Sequence, residues 1–182
     1  MVVVAISGLH GAGKTTAAKR LAKKFKLRYV CAGTIFRELA KEKGMTLEEF
    51  GKYVEKRPGI DREIDRRTAA EAKKENVLID GRIAAWIAKK ADVKIFVTAS
   101  LEVRVKRICQ REGRKYGEVL RETVEREKSE VKRFKKFYKI DVTDHSLFDV
   151  IVNTDRIAAD DTVRILSTLI SRVPKRRSIK TK

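Results

Sequence analysis

The sequence contains few of the residues from which disulfide frameworks and metal clusters are built. Its 182 residues include two cysteines, Cys31 and Cys109, and two histidines, His10 and His145. Each cysteine lies in an apolar stretch, and no partner stands at metal-ligand spacing, so we expect two reduced thiols packed in the interior. Neither a disulfide scaffold nor a zinc-binding module is predicted.

Long hydrophobic runs are missing as well. No apolar segment approaches the roughly 20 residues that span a bilayer, and residues 1–6 lack the basic region and the length of a signal peptide. We therefore expect a cytoplasmic protein without membrane association. Amide side chains are also scarce, with two Asn and one Gln among abundant Lys, Arg and Glu. This bias is typical of proteins from hyperthermophiles.

Acidic residues are outnumbered by basic ones. The chain has 44 Lys and Arg against 25 Asp and Glu, a formal net charge of +19. The tail 174–182 carries several of these cations and no acid, but the rest of the chain is basic without it. This balance predicts anionic partners, either nucleic acid or phosphorylated small molecules. Small molecules are favoured, since aromatic content is 7% and no RNA-binding motif with interleaved aromatics is visible.

What the sequence does contain is an alternation of short β-branched runs and amphipathic helical segments. The predicted strands cover residues 2–6, 28–31, 77–80, 93–98 and 149–153. The predicted helices between and after them begin near Lys14, Thr34, Thr46, Asp61, Leu101, Glu118 and Asp160. Such alternation predicts one α/β domain over residues 1–173, a three-layer sandwich with a five-stranded parallel sheet.

Several helix boundaries have local signals. Thr46 and Glu49 form a capping-box pattern. Pro58 with the following glycine is expected to break the chain before a helix that Asp61 caps and that ends near Glu75. Ser100 is expected to cap a helix over 101–112, and a highly charged helix is predicted from about 118 to 136.

The most specific motif comes directly after the first predicted strand. Residues 8–15 match the pattern G-x-x-x-x-G-K-[ST] in full. Glycines let backbone N–H groups wrap a phosphate closely, and the next helix adds its N-terminal dipole. We predict that Lys14 reaches the β- and γ-phosphates of a nucleoside triphosphate and that Thr15 ligates Mg²⁺. The predicted nucleotide-binding set is Gly8, Leu9, His10, Gly11, Ala12, Gly13, Lys14, Thr15 and Thr16, with His10 contributing its backbone and not acting as a base.

Charged residues beyond this loop suggest what receives the phosphate. Asp80 ends the third predicted strand and suits a carboxylate near Mg²⁺, directly or through its waters, while Arg82 could hold an acceptor's phosphate bidentately. A dense arginine series brackets residues 113–117 and predicts a mobile lid that neutralises the group in transfer. The alternative is that most of these arginines form solvated helix faces paired with glutamates. The series comprises Arg104, Arg107, Arg111, Arg114, Arg121, Arg126 and Arg133.

With these residues the chain resembles the archaeal-type cytidylate kinases, small members of the P-loop nucleoside monophosphate kinase family. The resemblance runs from residue 3 to about residue 153 and includes the segments 32–37, 44–50, 60–65, 80–82, 126–130 and 137–141. It implies transfer of the γ-phosphoryl group of ATP, with Mg²⁺, to CMP or dCMP, and an acceptor phosphate that needs no general base. It also implies monophosphate-binding helices over 34–65 and a lid over about 113–133.

The resemblance further implies roles for individual side chains. Arg37 and Arg82 would grip the acceptor's α-phosphate, with Thr34 in the same site and Asp61 near the base or ribose. The lid arginines that meet the transferring group would be Arg107, Arg111, Arg126 and Arg133.

The residues themselves leave alternatives open. Base choice depends on a few side chains that spacing cannot place, so a kinase for AMP, UMP or dTMP is an alternative. A nucleic-acid-associated ATPase with an adenylate-kinase-like fold is another, supported by the net charge, and a kinase for a small metabolite such as shikimate is a third. We expect a monomer.

Overall fold

The computed structural model describes residues 2–174, apart from the side chains of Pro58 and Asp61. Residues 175–182, nearly all of the predicted basic tail, lie outside the described residues. In this part of the chain no helix is both long and apolar enough to cross a membrane. The strands are β1 (Val3–Gly8), β2 (Arg28–Cys31), β3 (Val77–Asp80), β4 (Val93–Thr98) and β5 (Val150–Asn153). The helices are α1 (Lys14–Lys24), α2 (Ala32–Glu42), α3 (Leu47–Glu55), α4 (Pro58–Ala72), α5 (Ala84–Ile87), α6 (Leu101–Glu112), α7 (Tyr116–Arg133) and α8 (Ala159–Arg172).

The five strands form one parallel sheet in the order β2-β3-β1-β4-β5. Strand β3 lies between β1 and β2, which aligns Asp80 with Ile6 on one side and with Cys31 on the other. The carboxyl ends of parallel strands meet at one edge, so the residues that come after β1, β2 and β3 converge there. The predicted five-stranded parallel sheet is confirmed.

Side chains alternate between the two faces of the sheet, and helices bury both faces. On one face Val4 packs in a cluster with Leu21 of α1 and Leu166 of α8. On the other face Ala5 packs in a cluster with Ala84 of α5. Burial of apolar surface on both faces is the main stabilising term of such a domain. The predicted three-layer α/β sandwich is therefore confirmed.

The region after β2 has a small core of its own. Phe50 of α3 is fully buried and meets the ring of Phe36 of α2 edge to face, with 4.8 Å between ring centroids. Ala40 and Val54 complete the buried part of this cluster. Helix α3 in turn packs against α7, where Arg133 donates from Nη1 to the carbonyl oxygen of Gly51 at 3.2 Å. This small core therefore connects α2 and α3 to the second half of the chain.

Two helix starts in this region test the local signals. The capping box is confirmed: the Thr46 hydroxyl accepts from the Glu49 N–H at 3.2 Å, and the Glu49 carboxylate accepts from the Thr46 N–H at 2.8 Å. The prediction that Asp61 caps the next helix is wrong, because α4 begins at Pro58 with Arg57 at the N-cap. Proline suits a first helical position, since its φ angle is preset and its missing N–H would have no partner there.

Other predicted boundaries are only partly confirmed. Helix α2 begins at Ala32, two residues before Thr34. Ser100 stands at the N-cap of α6, but its hydroxyl accepts no capping hydrogen bond. Its N–H instead donates to the Asp155 carboxylate at 2.7 Å. Helix α7 ends at Arg133 and passes into a π-helical turn, Phe134–Tyr138, where a single α-helix was expected.

Candidate active site

The loop between β1 and α1 depends on glycine for two different reasons. A Cβ atom at Gly8 (φ 153°) would lie 2.1 Å from the carbonyl oxygen of Val97, and one at Gly11 (φ 78°) would lie 2.6 Å from that of Arg104. A side chain at either position would therefore clash with the protein's own backbone. Gly13 has φ 87°, but a Cβ there would meet no atom of the described residues within 4 Å beyond its chain neighbours. Glycine at this position leaves room beside the first turn of α1, as a phosphate cradle requires.

Asp80 is the centre of a buried polar cluster next to this loop. The side chain has no exposed surface, and its Oδ1 lies 3.0 Å from Nζ of Lys14. Its Oδ2 accepts from the hydroxyls of Thr15 at 2.7 Å and Tyr29 at 2.8 Å. Strand β3 positions the carboxylate, because its last residue lies between the ends of β1 and β2.

The surroundings of Asp80 hold it in the ionised form. Burial by itself would raise the pKa of Asp80, but the Lys14 cation and the hydrogen bonds from Thr15 and Tyr29 outweigh burial and lower it. Burial and the same carboxylate raise the pKa of Tyr29. Tyr29 therefore serves this cluster as a neutral hydrogen-bond donor.

The donors at this point suit a magnesium ion. The Thr15 hydroxyl and the Asp80 carboxylate are hard oxygen ligands lying side by side. Among the described side chains, which do not include that of Asp61, no three from His, Cys, Asp or Glu converge as a metal cluster would require. A cation here would therefore be held by one or two protein oxygens together with phosphates and waters, which is the usual mode for Mg²⁺ bound with a nucleotide.

A cavity of about 510 Å³ joins this cluster to most of the predicted site residues. Its wall includes Arg37 of α2 and Arg82, which comes after β3. Predicted residues on the wall are Leu9, His10, Gly11, Ala12, Gly13, Lys14, Thr15, Thr16, Arg37, Asp80, Arg82, Arg107, Arg111, Arg126 and Arg133. Gly8 and Thr34 do not line it, and the hydroxyl of Thr34 accepts from Nη2 of Arg37 at 3.1 Å. The side chain of Asp61 is outside the described residues.

The four predicted lid arginines have different surroundings. Arg126 is mostly buried, with Nε 3.3 Å from Oε1 of Glu130. Arg107 donates twice to Thr154, at 2.9 Å to the hydroxyl and 2.7 Å to the carbonyl oxygen. Arg133 is buried against α3, whereas Arg111 is two-thirds exposed and pairs with the neighbouring Glu112. Of the four, Arg126 is the best placed to meet a group in the cavity.

Glu130 of α7 is a member of the site to which the sequence alone assigns no role. Its side chain is 7% exposed and contacts Nε of both Arg82 and Arg126 at 3.3 Å. It also bonds Nε2 of His10 at 2.7 Å, so the His10 ring is not a free loop side chain. The Arg126 contact has the helical i, i+4 spacing and could have been found from sequence. The other two join residues 48 and 120 positions apart.

The charges in this second cluster result from burial and from the neighbouring cations. Burial and, next in size, the nearby Arg126 together lower the pKa of His10 to about 4, because these effects exceed the raising effect of Glu130. The pKa of Glu130 is lowered, because His10, Arg126 and Arg82 outweigh its burial. Near neutral pH a neutral His10 therefore donates its Nε2–H to an ionised Glu130.

Arg104 also meets the loop, from helix α6. Its side chain is almost fully buried, and Nη1 donates to the carbonyl oxygen of His10 at 3.1 Å and to Glu127 at 2.6 Å. Nε donates to the carbonyl oxygen of Ala99 at 3.0 Å. Sequence spacing placed Arg104 in the lid series, but its contacts show that it supports the loop backbone.

Comparison with known proteins gives a consistent result over most of the chain. Residues 3–156 match the model of the cytidylate kinase-like family. A cytidylate kinase of Staphylothermus marinus is 46% identical over 176 residues, covering 96% of this chain and 99% of the relative. One of Methanocaldococcus jannaschii is 45% identical over 178 residues, covering 96% and 100%.

Solved structures of low sequence identity share the fold. A shikimate kinase from Bacteroides thetaiotaomicron superposes with a TM-score of 0.60 at 18% identity, covering 93% of this chain and 98% of the other. A shikimate kinase from Acinetobacter baumannii, in complex with shikimate, gives 0.58 at 17%, covering 96% of both chains. These likenesses concern the architecture alone.

Proposed function

Because this chain belongs to the cytidylate kinase-like family, we propose that it transfers the γ-phosphoryl group of ATP to CMP or dCMP, giving ADP and CDP or dCDP. The observation that carries the proposal is one cavity whose wall includes both the glycine loop with Lys14 and the side chain of Arg82. In-line transfer between two phosphates needs the cation that binds the triphosphate and the cation that binds the acceptor phosphate in the same cavity.

The triphosphate side of the cavity would be formed by residues 9–16. Backbone N–H groups and the α1 N-terminus favour phosphate there. Lys14, which pairs with Asp80 in the structure, lies at the start of α1 and would move from that carboxylate to the β- and γ-phosphates. Thr15 and Asp80 would then hold Mg²⁺, directly or through water, and the ion would neutralise charge that develops between the phosphates.

The monophosphate side would use Arg37 and Arg82, with α2 and α4 enclosing the nucleoside. A phosphate oxygen of CMP attacks the γ-phosphorus, and the bond to the β,γ-bridging oxygen breaks with its electron pair leaving on ADP. The acceptor phosphate is largely dianionic near neutral pH, so this step requires no side chain as a general base. Arg126 would stabilise the transferring group, because it shares the carboxylate partner Glu130 with Arg82 and so lies beside the proposed acceptor site.

Initial rates with ATP and a panel of monophosphates test the proposal. CMP, dCMP, UMP and AMP would be compared under matched conditions by coupled detection of ADP. We expect the highest kcat/KM with CMP or dCMP. Preferential use of AMP or UMP would contradict the base assignment. ATP hydrolysis that responds to RNA and not to any monophosphate would contradict the reaction class and favour the nucleic-acid-associated alternative.

A further inference from the structure

Glu130 connects three parts of the cavity wall that are far apart in sequence. Oε1 bonds Nε2 of His10 in the glycine loop at 2.7 Å and lies 3.3 Å from Nε of Arg126 on the same helix. Oε2 lies 3.3 Å from Nε of Arg82, which comes after β3. Glu130 is thus the partner common to the triphosphate loop, the proposed acceptor site and the proposed lid.

The direction of these contacts leaves part of each guanidinium group available. Both arginines contact Glu130 through Nε. A bidentate pair would instead use two nitrogen atoms of one guanidinium group and both oxygens of the carboxylate. Nη1 of Arg82 is buried, yet it has no hydrogen-bond partner among the described residues. An unsatisfied buried donor is costly, so this atom requires an acceptor that the described part of the protein does not supply there. A phosphate oxygen in the cavity would meet that requirement.

The charge of the cluster also suits a phosphate. One carboxylate between two arginines reduces their mutual repulsion but leaves the group with a net positive charge, to which the neutral His10 adds nothing. If Glu130 carried no charge, Arg82 and Arg126 would repel each other without compensation, and only one of the two oxygens that hold their Nε edges would remain a full acceptor. An ionised Glu130 therefore allows two arginines to stay adjacent before a dianion arrives.

We propose that Glu130 is a positioning residue of the acceptor site. It holds Arg82 and Arg126 by their Nε edges, so that their remaining N–H groups face the acceptor's phosphate. It also connects both arginines to the triphosphate loop through His10. This proposal rests on the proposed function, because it takes the bound anion to be the monophosphate of CMP or dCMP. The opposite role would be a place-holder, in which the carboxylate competes with that phosphate for the same arginines.

The variant Glu130→Gln distinguishes these roles, since glutamine keeps the size of the side chain and removes its charge. The matched control is Glu125→Gln, on the same helix, where the exposed carboxylate pairs with Lys128 at 3.2 Å. We expect Glu130→Gln to raise KM for CMP about tenfold, as the loss of charge-assisted hydrogen bonds predicts. KM for ATP should change much less, calorimetric affinity for CMP should fall in parallel, and the control should match the wild type.

An unchanged or lower KM for CMP in folded Glu130→Gln would overturn the proposal, a lower value being the result that a place-holder gives. The wild-type assay separates this failure from failure of the proposed function. If wild-type protein phosphorylates no monophosphate, the function is wrong; if it is active with CMP and the variant behaves like it, only the positioning role is wrong.

A second pair of variants keeps the test usable if Glu130→Gln does not fold. His10→Ala removes the donor to Glu130, whereas His10→Gln can retain an N–H group near the position of Nε2. We expect His10→Ala to raise KM for CMP and His10→Gln to restore much of the loss. If the two substitutions have equal effects on KM for CMP, or if neither changes it, the link through His10 is refuted.

Discussion

At the scale of single residues, the buried Asp80 carboxylate holds the Lys14 cation next to the proposed phosphate site. Asp80 is fully buried, yet it stays ionised because Lys14, Thr15 and Tyr29 surround it. Desolvation of a charge is costly, so the carboxylate holds Lys14 firmly until another anion competes for it. A triphosphate offers such competition because it carries several charges at once.

The first prediction concerns this pair. Lys14→Ala should reduce kcat with ATP and CMP by at least about a hundredfold, since it removes a cation from the transferring phosphates. Circular dichroism should still report the α/β fold, although the melting temperature should fall because Asp80 loses its cation. Lys23→Ala, an exposed position on the same helix, is the control and should keep full activity. Normal turnover in Lys14→Ala would contradict the assignment of the loop.

The second prediction concerns His10, whose pKa is lowered from 6.5 to about 4 by burial and by Arg126. Between these pH values the unfolded chain binds a proton that the folded protein does not, so the free energy of unfolding decreases as the pH falls. The loss from this group is at most about 3 kcal/mol. Carboxyl groups with lowered pKa, such as Glu130 and Asp80, lose their contribution only below about their ordinary values of 4.5 and 3.8.

Denaturant unfolding of wild-type protein and His10→Gln at several pH values tests this. Glutamine does not titrate, so the variant should show a smaller decrease in stability between pH 6.5 and pH 4.5. Above pH 7.5 the two proteins should have parallel curves. Equal slopes over the acidic interval would show that His10 is not held neutral by the fold.

At the scale of secondary structure elements, the loop between β1 and α1 is shaped by the strands and helices around it. Val97 of β4 approaches Gly8, and the backbone of Arg104 in α6 approaches Gly11. Arg104 also donates to the carbonyl oxygen of His10. The loop is therefore held from the neighbouring strand and from the helix that precedes the proposed lid.

The third prediction compares two glycines of this loop. Gly11→Ala should destabilise the protein by more than the roughly 1–2 kcal/mol that a left-handed backbone costs an alanine, because its Cβ would also clash with the Arg104 carbonyl oxygen. Gly13→Ala should incur the backbone cost alone, yet it should weaken ATP binding more, since its methyl group would enter the proposed phosphate site. Thermal unfolding and ATP calorimetry on both variants provide the two readouts. The opposite ranking in either measurement would contradict this division of roles.

The helix boundaries show which local sequence signals were sufficient to predict where a helix begins or ends. Thr46 and Glu49 satisfy each other within one helical turn, so their capping box was predictable from spacing. Pro58 could be either a chain break or a first helical residue, and the choice depends on the packing of the residues after it. The π-helical turn Phe134–Tyr138 has no such local signal; Phe134 and Tyr138 pack with Ile83, which is remote in sequence.

At the scale of the whole molecule, ligand binding should be visible as stability. A ligand that binds only the folded protein stabilises it by about 2.7 kcal/mol at a hundred times its Kd. The fourth prediction is that ATP and CMP each raise the melting temperature of the wild type. Arg82→Ala should lose most of the CMP-induced shift and keep the ATP-induced shift, because the proposed contacts of Arg82 are with the acceptor.

Shifts, not absolute melting temperatures, are the quantity to compare, since Arg82→Ala also removes a partner of Glu130. Arg66→Ala, at an exposed position that pairs with Glu63 on α4, should keep both shifts. Loss of the ATP shift with retention of the CMP shift in Arg82→Ala would show that the acceptor site is wrongly placed.

The monomeric state and the cytoplasmic location stay predictions.

Local order in the sequence was enough to predict the sheet, the loop and the family. A strand, a glycine pattern and a helix start are contiguous features whose chemistry depends on neighbours a few residues away. The same holds for Lys14 and Thr15, which the motif itself identifies. Only the tertiary structure showed that Glu130 joins His10 to Arg82 and that Arg104 supports the loop, because these contacts connect residues 48 to 120 positions apart. Spacing along a chain carries no information on which distant charges share a buried site, and their mutual burial decides their protonation and roles.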